Sequence, residues 1–204
     1  RAVTARNTRR PVKGTGFELK FDDATGTINS LTYSGGPVFA EGNGPKRDAF
    51  RAMTDNDNWA YRQWFAKGLH NLQHKAVDVA AYTRADGAVV LAYTVESQAP
   101  YGSNIRDLGI SSGRYEITKG KDFGPDDFKF TTSQIWTVYP DGSIELEAGF
   151  SSNEPSLSLA RLGYVMKTPS VLEKYTYYGR GPQNNYNDRK NGAFVQLYDS
   201  TVKE

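Results

Sequence analysis

With 204 residues, no cysteine, and 25 basic against 23 acidic side chains for a net charge of +2, the chain excludes disulfide staples and thiolate metal sites, and it lacks the strongly basic footprint of a nucleic-acid binder. No apolar run reaches the roughly 18 residues a membrane-spanning helix needs. Thirteen Tyr, ten Phe and three Trp offset a hydrophobic content of 38%, enough bulk for a core or an aromatic-lined cleft.

Residues 1–13 carry Arg1, Arg6, Arg9, Arg10 and Lys13 without interleaved aromatics. They read as a linker or edge segment, and a start at Arg1 rather than Met reads as a piece cut from a longer chain. From residue 14 to 204 the pattern is that of one β-sandwich domain. Phe17, Leu19 and Phe21 alternate with Glu18 and Lys20, the period of a half-buried strand. After a turn at Asp22–Gly26, a second strand runs from Thr27 to Tyr33, Ser34–Pro37 ends it, and Val38–Ala40 reads as a short third. Trp59–Gly68 is the one helical segment, with Asn58 placed to cap it and Gly68 to close it.

Antiparallel strands follow. Val77, Val79 and Ala81 alternate, and Asp86-Gly87 turns the chain into an apolar strand at Val89–Val95. Residues 98–112 read as a long loop, Arg114–Thr118 as a strand and Lys119–Asp127 as a second loop. Phe128–Tyr139 pairs through Asp141-Gly142 with Ser143–Phe150. Leu157–Met166, Val171–Tyr178 and Ala193–Leu197 supply the remaining strands. About a dozen short strands with one helix make an all-β sandwich.

The stretch from Tyr177 to Arg189 is unlike any of these: Tyr177-Tyr178-Gly179-Arg180-Gly181-Pro182-Gln183-Asn184-Asn185-Tyr186-Asn187-Asp188-Arg189. Its glycines, proline and polar side chains specify a tied-down, aromatic-lined loop rather than a helix or strand. Such a loop is either a packed structural corner or a surface facing a ligand or neighbouring domain.

This stretch resembles the G-x-G-P-x-E-N-Y-x-D-R signature in the C-terminal domain of large bacterial β-galactosidases, glycoside hydrolase family 2. Asn184 stands where that family usually has Glu, and Asn187 where it often has Pro. Phe50-Arg51-Ala52-Met53-Thr54-Asp55-Asn56-Asp57 is similar to the family's F-R-A-P-T-D-N-D, and Ala160-Arg161-Leu162-Gly163 to its P-R-x-G. The resemblance implies a galactose-mutarotase-like supersandwich of antiparallel sheets with one short helix. It also implies that the family's domain continues past Glu204, so that strands are truncated at the C-terminus and a bare edge could draw copies together as a homo-oligomer.

Carboxylates abound (Asp55, Asp57, Asp107, Asp122, Asp126, Asp127, Glu145, Glu147, Glu154, Asp188), but the sequence pairs no two of them in space. In the resembled family the acid/base and nucleophile are both glutamates on a separate (β/α)8 barrel, so none of these is expected to be catalytic. The resemblance places the loop at Asp57, Asn58 and Trp59 beside the parent enzyme's galactoside pocket. It makes Arg51, Asp55, Arg180, Gln183, Asn185, Tyr186, Asp188 and Arg189 architectural, locking the domain against the rest of the parent chain. The family often uses Mg and Na, on other domains, so no cofactor is expected here.

Other templates fail on spacing. Asp55-Asn56-Asp57 opens like a calcium loop, but Trp59 takes the next ligand position and no distal Gly or Glu follows. His70 and His74 lack the Glu of a zinc-protease helix. Gly179-Arg180-Gly181 precedes a proline, not a helix, so it is no phosphate loop. Two further readings stay open: a free-standing carbohydrate-binding module, and an aldose epimerase using His70 or His74, the latter by fold analogy alone.

Overall fold

The alternation of Phe17, Leu19 and Phe21 dictates the first layer of the computed structural model, which describes residues 9–108, 114–183, 185 and 190–202. Strands β1 (Arg9–Gly14), β2 (Phe17–Asp22), β3 (Thr27–Tyr33) and β4 (Gly36–Pro37) form one antiparallel sheet in that order. After β5 (Lys46–Asp48) and helix α1 (Tyr61–Ala66) come β6 (Gln73–Thr83), β7 (Val89–Gln98), β8 (Tyr101–Asp107), β9 (Tyr115–Asp122), β10 (Phe130–Val138), β11 (Ile144–Ser152) and β12 (Gly163–Val165). A second sheet has the order β11-β10-β7-β6, while β12 pairs with β5 and β8 with β9, all antiparallel. These elements belong to a unit ending at Lys167; a second unit, from Thr168, holds the hairpin β13 (Lys174–Gly181) and β14 (Phe194–Thr201).

Two cores organise the first unit. The apolar faces of β2 and β3 meet those of β7 and β10, with the Phe21 ring 6.1 Å from Tyr93 and 5.7 Å edge-on to Trp136. Each such buried ring contributes on the order of 2 kcal/mol by removal of apolar area from water. The second core forms where α1 buries Tyr61, Trp64 and Phe65 against Phe128 and Phe130. Gly68 ends this helix with φ +69°; a Cβ there would lie 2.3 Å from Ala99 Cβ, so both the angle and the space require glycine.

Several expectations need correction. Val38–Ala40 is not a strand: Gly36–Pro37 takes the place beside β3. The loop read at 98–112 contains β8, and β9 continues through Lys119–Asp122; both are polar strands whose inward residues are too few to show a clear period. Leu157–Leu162 is irregular, leaving only Gly163–Val165 paired. A bulge between Ala76 and Asp78 breaks the predicted alternation on β6, so Ala76 is buried while Val77 faces solvent. Helix α1 starts after Ala60, and Asn58 does not cap it; the Asn58 amide donates to the Asp55 carbonyl (2.7 Å) and closes the preceding 3-10 turn, Asp55–Asp57. Finally, the strand expected over Val171–Tyr178 starts only at Lys174 and runs on through Gly179–Gly181, which the sequence assigns to the loop alone, because these residues have partners on β14. On that hairpin the apolar residues Tyr178, Phe194 and Leu197 are exposed.

Candidate functional site

The loop from Phe50 to Trp59 is built around one carboxylate. Asp57 sits at the end of the 3-10 turn and is 7% exposed. Arg51 donates to it through both terminal nitrogens, Nη1 to Oδ2 at 2.6 Å and Nη2 to Oδ1 at 2.9 Å. The Thr54 backbone N–H (2.7 Å) and hydroxyl (2.9 Å) donate to Oδ2 as well. The Arg51 guanidinium, hydrogen-bonded and charged, holds the Asp57 carboxyl below the usual range, with the Thr54 bonds adding to it. Arg51 also donates to the Ala52 carbonyl and lies 5.7 Å from the Trp64 ring centroid, which ties the loop to α1.

This geometry separates the residues that the sequence grouped together. Asp57 is turned inward, and its oxygens are taken by in-chain donors. Asp55 and Asn58 are exposed, and Trp59 presents its ring outward with 71% of its surface bare. A fixed backbone carrying an exposed indole is what stacking on the C–H face of a sugar requires. The Ala160–Gly163 stretch joins the same construction: Arg161 Nε lies 3.3 Å from Asp48 Oδ2, and Gly163 pairs with Asp48 across β12 and β5.

In the second unit Arg180 makes a different tether. Its Nη1 donates to the carbonyls of Lys190 (3.0 Å) and Ala193 (2.9 Å), closing the loop that follows β13. The Tyr198 hydroxyl sits between the carbonyls of Gly181 (2.7 Å) and Phe194 (3.0 Å), and its ring stacks on Tyr177 at 5.2 Å. The Gly181-Pro182 peptide is cis. Gln183 and Asn185 are exposed, whereas Tyr186, Asp188 and Arg189 fall outside the described residues.

Four of the other candidate carboxylates have structural partners. Asp127 accepts from Lys121 and the Gly124 N–H, Glu154 pairs with Lys67, Asp122 with Lys119, and Glu145 accepts from the Tyr139 hydroxyl. His70 and His74 lie beyond Gly68, off the helix, bonded to Ser103 (3.2 Å) and Ser97 (2.9 Å) respectively. Among the described residues no group of three or more His, Asp or Glu side chains is placed to hold a metal ion, and no helix is long and apolar enough to cross a membrane. One residue that the sequence did not single out is Arg47, in the polar run Lys46-Arg47-Asp48, whose side chain is buried. Nothing local signals this, since the rings around it come from distant strands.

Comparison with known proteins adds a family. The profile described as "Beta galactosidase small chain" matches residues 13–204. The chain is 26% identical over 95% of its length to a β-galactosidase of Priestia megaterium, 27% over 95% to one of Halalkalibacterium halodurans, and 28% over 92% to one of Vibrio cholerae. It spans only 16%, 17% and 17% of the length of those relatives.

Proposed function

The chain belongs to the β-galactosidase small-chain family, and from that premise we propose that it serves as a non-catalytic flank of a larger galactoside hydrolase. In this reading the parent cleaves terminal β-galactosides with catalytic groups on other domains. The present domain stabilises the assembly with the rest of the chain and lends one wall to the sugar pocket. The observation that carries it is the contrast within the Phe50–Trp59 loop. Its one buried carboxylate is consumed in holding the backbone, while Trp59 is left bare. A group saturated by four in-chain donor contacts is poorly placed to move protons for a substrate, but it makes a rigid support for a neighbouring aromatic platform.

The test has two arms. The purified chain, given a chromogenic β-galactoside, should release no chromophore; turnover above a heat-treated control overturns the non-catalytic assignment. In the parent enzyme, Trp59→Ala should raise KM for galactosides several-fold with little change in kcat, and Trp59→Phe should recover most of the loss. An unchanged KM removes the wall and leaves the scaffold.

A further inference from the structure

The chain contains two Asn-Gly pairs, Asn43-Gly44 and Asn191-Gly192. In this dipeptide the glycine backbone nitrogen can attack the carbonyl carbon of the asparagine side chain, because no Cβ crowds the approach. Ring closure needs an unengaged side-chain amide, a free glycine nitrogen and a backbone able to turn. The fold treats the two pairs oppositely.

Asn43 is clamped. Its Nδ2 donates to the Glu41 carbonyl (2.9 Å), its backbone N–H to the Ala40 carbonyl (2.9 Å), and its own carbonyl accepts from the Lys167 N–H (3.0 Å). Gly44 lies against β3, where a Cβ would come 2.0 Å from the Ile28 carbonyl oxygen. Asn191 and Gly192 are exposed. Among the described residues neither the Asn191 amide nor the Gly192 N–H has a hydrogen-bond partner, and a Cβ on Gly192 would have nothing within 4 Å. The Asp-Gly pairs could cyclise in the same way, but their glycine nitrogens are engaged: Gly87 donates to the Arg84 carbonyl (3.0 Å) and Gly142 to that of Tyr139 (2.9 Å).

We propose that Asn191-Gly192 is a self-modification site, where the chain deamidates without an enzyme and so loosens the Arg180 tether. The Gly192 nitrogen gives its proton to solvent and bonds to Asn191 Cγ. The Cγ–Nδ2 bond breaks, the amide nitrogen takes a proton back from solvent and leaves as ammonia, and a cyclic imide remains. Water then opens the imide. Attack at Cγ yields aspartate; attack at the Asn191 backbone carbonyl yields isoaspartate, whose main chain runs through Cβ and Cγ.

The pair sits inside that tether. Arg180 Nη1 donates to the carbonyls of Lys190 (3.0 Å) and Ala193 (2.9 Å), one on each side of it, and the Ala193 N–H closes the turn on Lys190 at 3.3 Å. Aspartate leaves this backbone as it is and adds a negative charge close to the guanidinium. Isoaspartate inserts an extra carbon into the main chain between the two acceptors. A single nitrogen then no longer meets both of them with good hydrogen-bond geometry.

The experiment ages the full chain in mildly alkaline buffer, native and in urea, and follows Asn43 and Asn191 by peptide mass spectrometry. An isoaspartyl methyltransferase with a labelled methyl donor counts the isoaspartate. Native Asn191 should convert about tenfold faster than Asn43, and in urea the two rates should draw together, because the protection of Asn43 belongs to the fold. Gly192→Ala, for which there is room, should slow conversion at Asn191 about tenfold by crowding the attacking nitrogen. Hydrogen exchange then reads the tether. Chain carrying isoaspartate should lose protection over residues 190–198, whereas Asn191→Asp, with the charge on an unaltered backbone, should keep it. The proposal fails if native Asn43 converts as fast as Asn191, if their ratio is the same in urea, or if Gly192→Ala ages like the unmodified chain. It fails equally if chain carrying isoaspartate stays protected, or if Asn191→Asp loses protection as well, which would assign the loss to charge.

Discussion

Arg51 in the first unit and Arg180 in the second each hold a loop in place, and they do so with different partners. Arg51 grips a nearly buried carboxylate with two nitrogens on two oxygens. Arg180 bridges two neutral carbonyls with a single nitrogen. The first tether is an ion pair whose carboxylate is withdrawn from water while its guanidinium stays partly exposed, strong when complete and costly when the carboxylate loses its partner. The second is a pair of charge-assisted hydrogen bonds at the surface, weaker and indifferent to any titration. Loop rigidity therefore rests on ionisation in one place and on backbone geometry in the other.

The largest effect should come from breaking the first tether. Arg51→Met leaves Asp57 charged, 7% exposed and unpaired, and should cost about 3 kcal/mol, seen as a lower urea midpoint with an unchanged slope. Arg51→Lys should recover little, since one ammonium cannot satisfy two oxygens side by side. Asp57→Asn should cost less, about 1–2 kcal/mol, because the partly exposed Arg51 regains water while the amide keeps one acceptor. A loss below about 1 kcal/mol for Arg51→Met would mean that the Thr54 bonds alone suffice.

Acid sharpens the contrast. Arg51, followed by the Thr54 donors, lowers the folded-state pKa of Asp57. A carboxylate depressed on folding contributes stability that is complete above its unfolded value, about 3.9, and is lost as pH falls through the folded one. Below about pH 4, amides of residues 52–60 should thus lose hydrogen-exchange protection progressively, while those of residues 190–198 behind Arg180 hold. Asp127, Glu18 and Asp141 are depressed as well, so the Asp57→Asn variant is the control that isolates this carboxylate. Equal acid sensitivity in that variant would assign the loss to the other three.

The same two regions show what a sequence carries and what it does not. Asp86-Gly87 and Asp141-Gly142 were legible as hairpin turns because each glycine adopts positive φ, +85° and +89°, an angle other residues resist. The core strand β2 was legible because its alternation is strict. Asn58 does not cap α1 because Thr54 and Asp57, bonded to each other, fold a 3-10 turn just before it, and the Asn58 amide closes that turn on Asp55. Gly179–Gly181 does not read as strand in the sequence because the pairing that makes it one lies across the chain on β14. Arg47 was illegible for a similar reason: Phe130, Phe150 and Tyr164 arrive from three later elements. Local chemistry writes turns plainly, whereas long-range pairing is written only in the partner.

A smaller effect is expected at Arg180. Arg180→Ala removes both carbonyl contacts from an exposed side chain and should cost about 1–2 kcal/mol, with exchange protection lost between residues 190 and 198. Here the lysine variant should retain part of the stability, because one nitrogen makes both bonds. Arg180→Lys as damaging as Arg180→Ala would show that the planar fork matters in this unit too, and the distinction between the tethers would narrow.

The smallest effect on stability belongs to Trp59, and that is what makes it informative. Its ring is 71% exposed and the loop beneath it is held by Arg51 and Asp57, so Trp59→Ala should change the unfolding free energy in urea by no more than about 0.5 kcal/mol. If the ring is a sugar platform, the same substitution in the parent enzyme raises KM while stability stands still. Arg51→Lys should then raise KM as well, by letting the platform drift, though it touches no sugar. The two variants together separate contact from support. A KM that responds to Arg51→Lys but not to Trp59→Ala would transfer the wall from the indole to the loop backbone, and one that responds to neither would place this face of the domain away from the substrate.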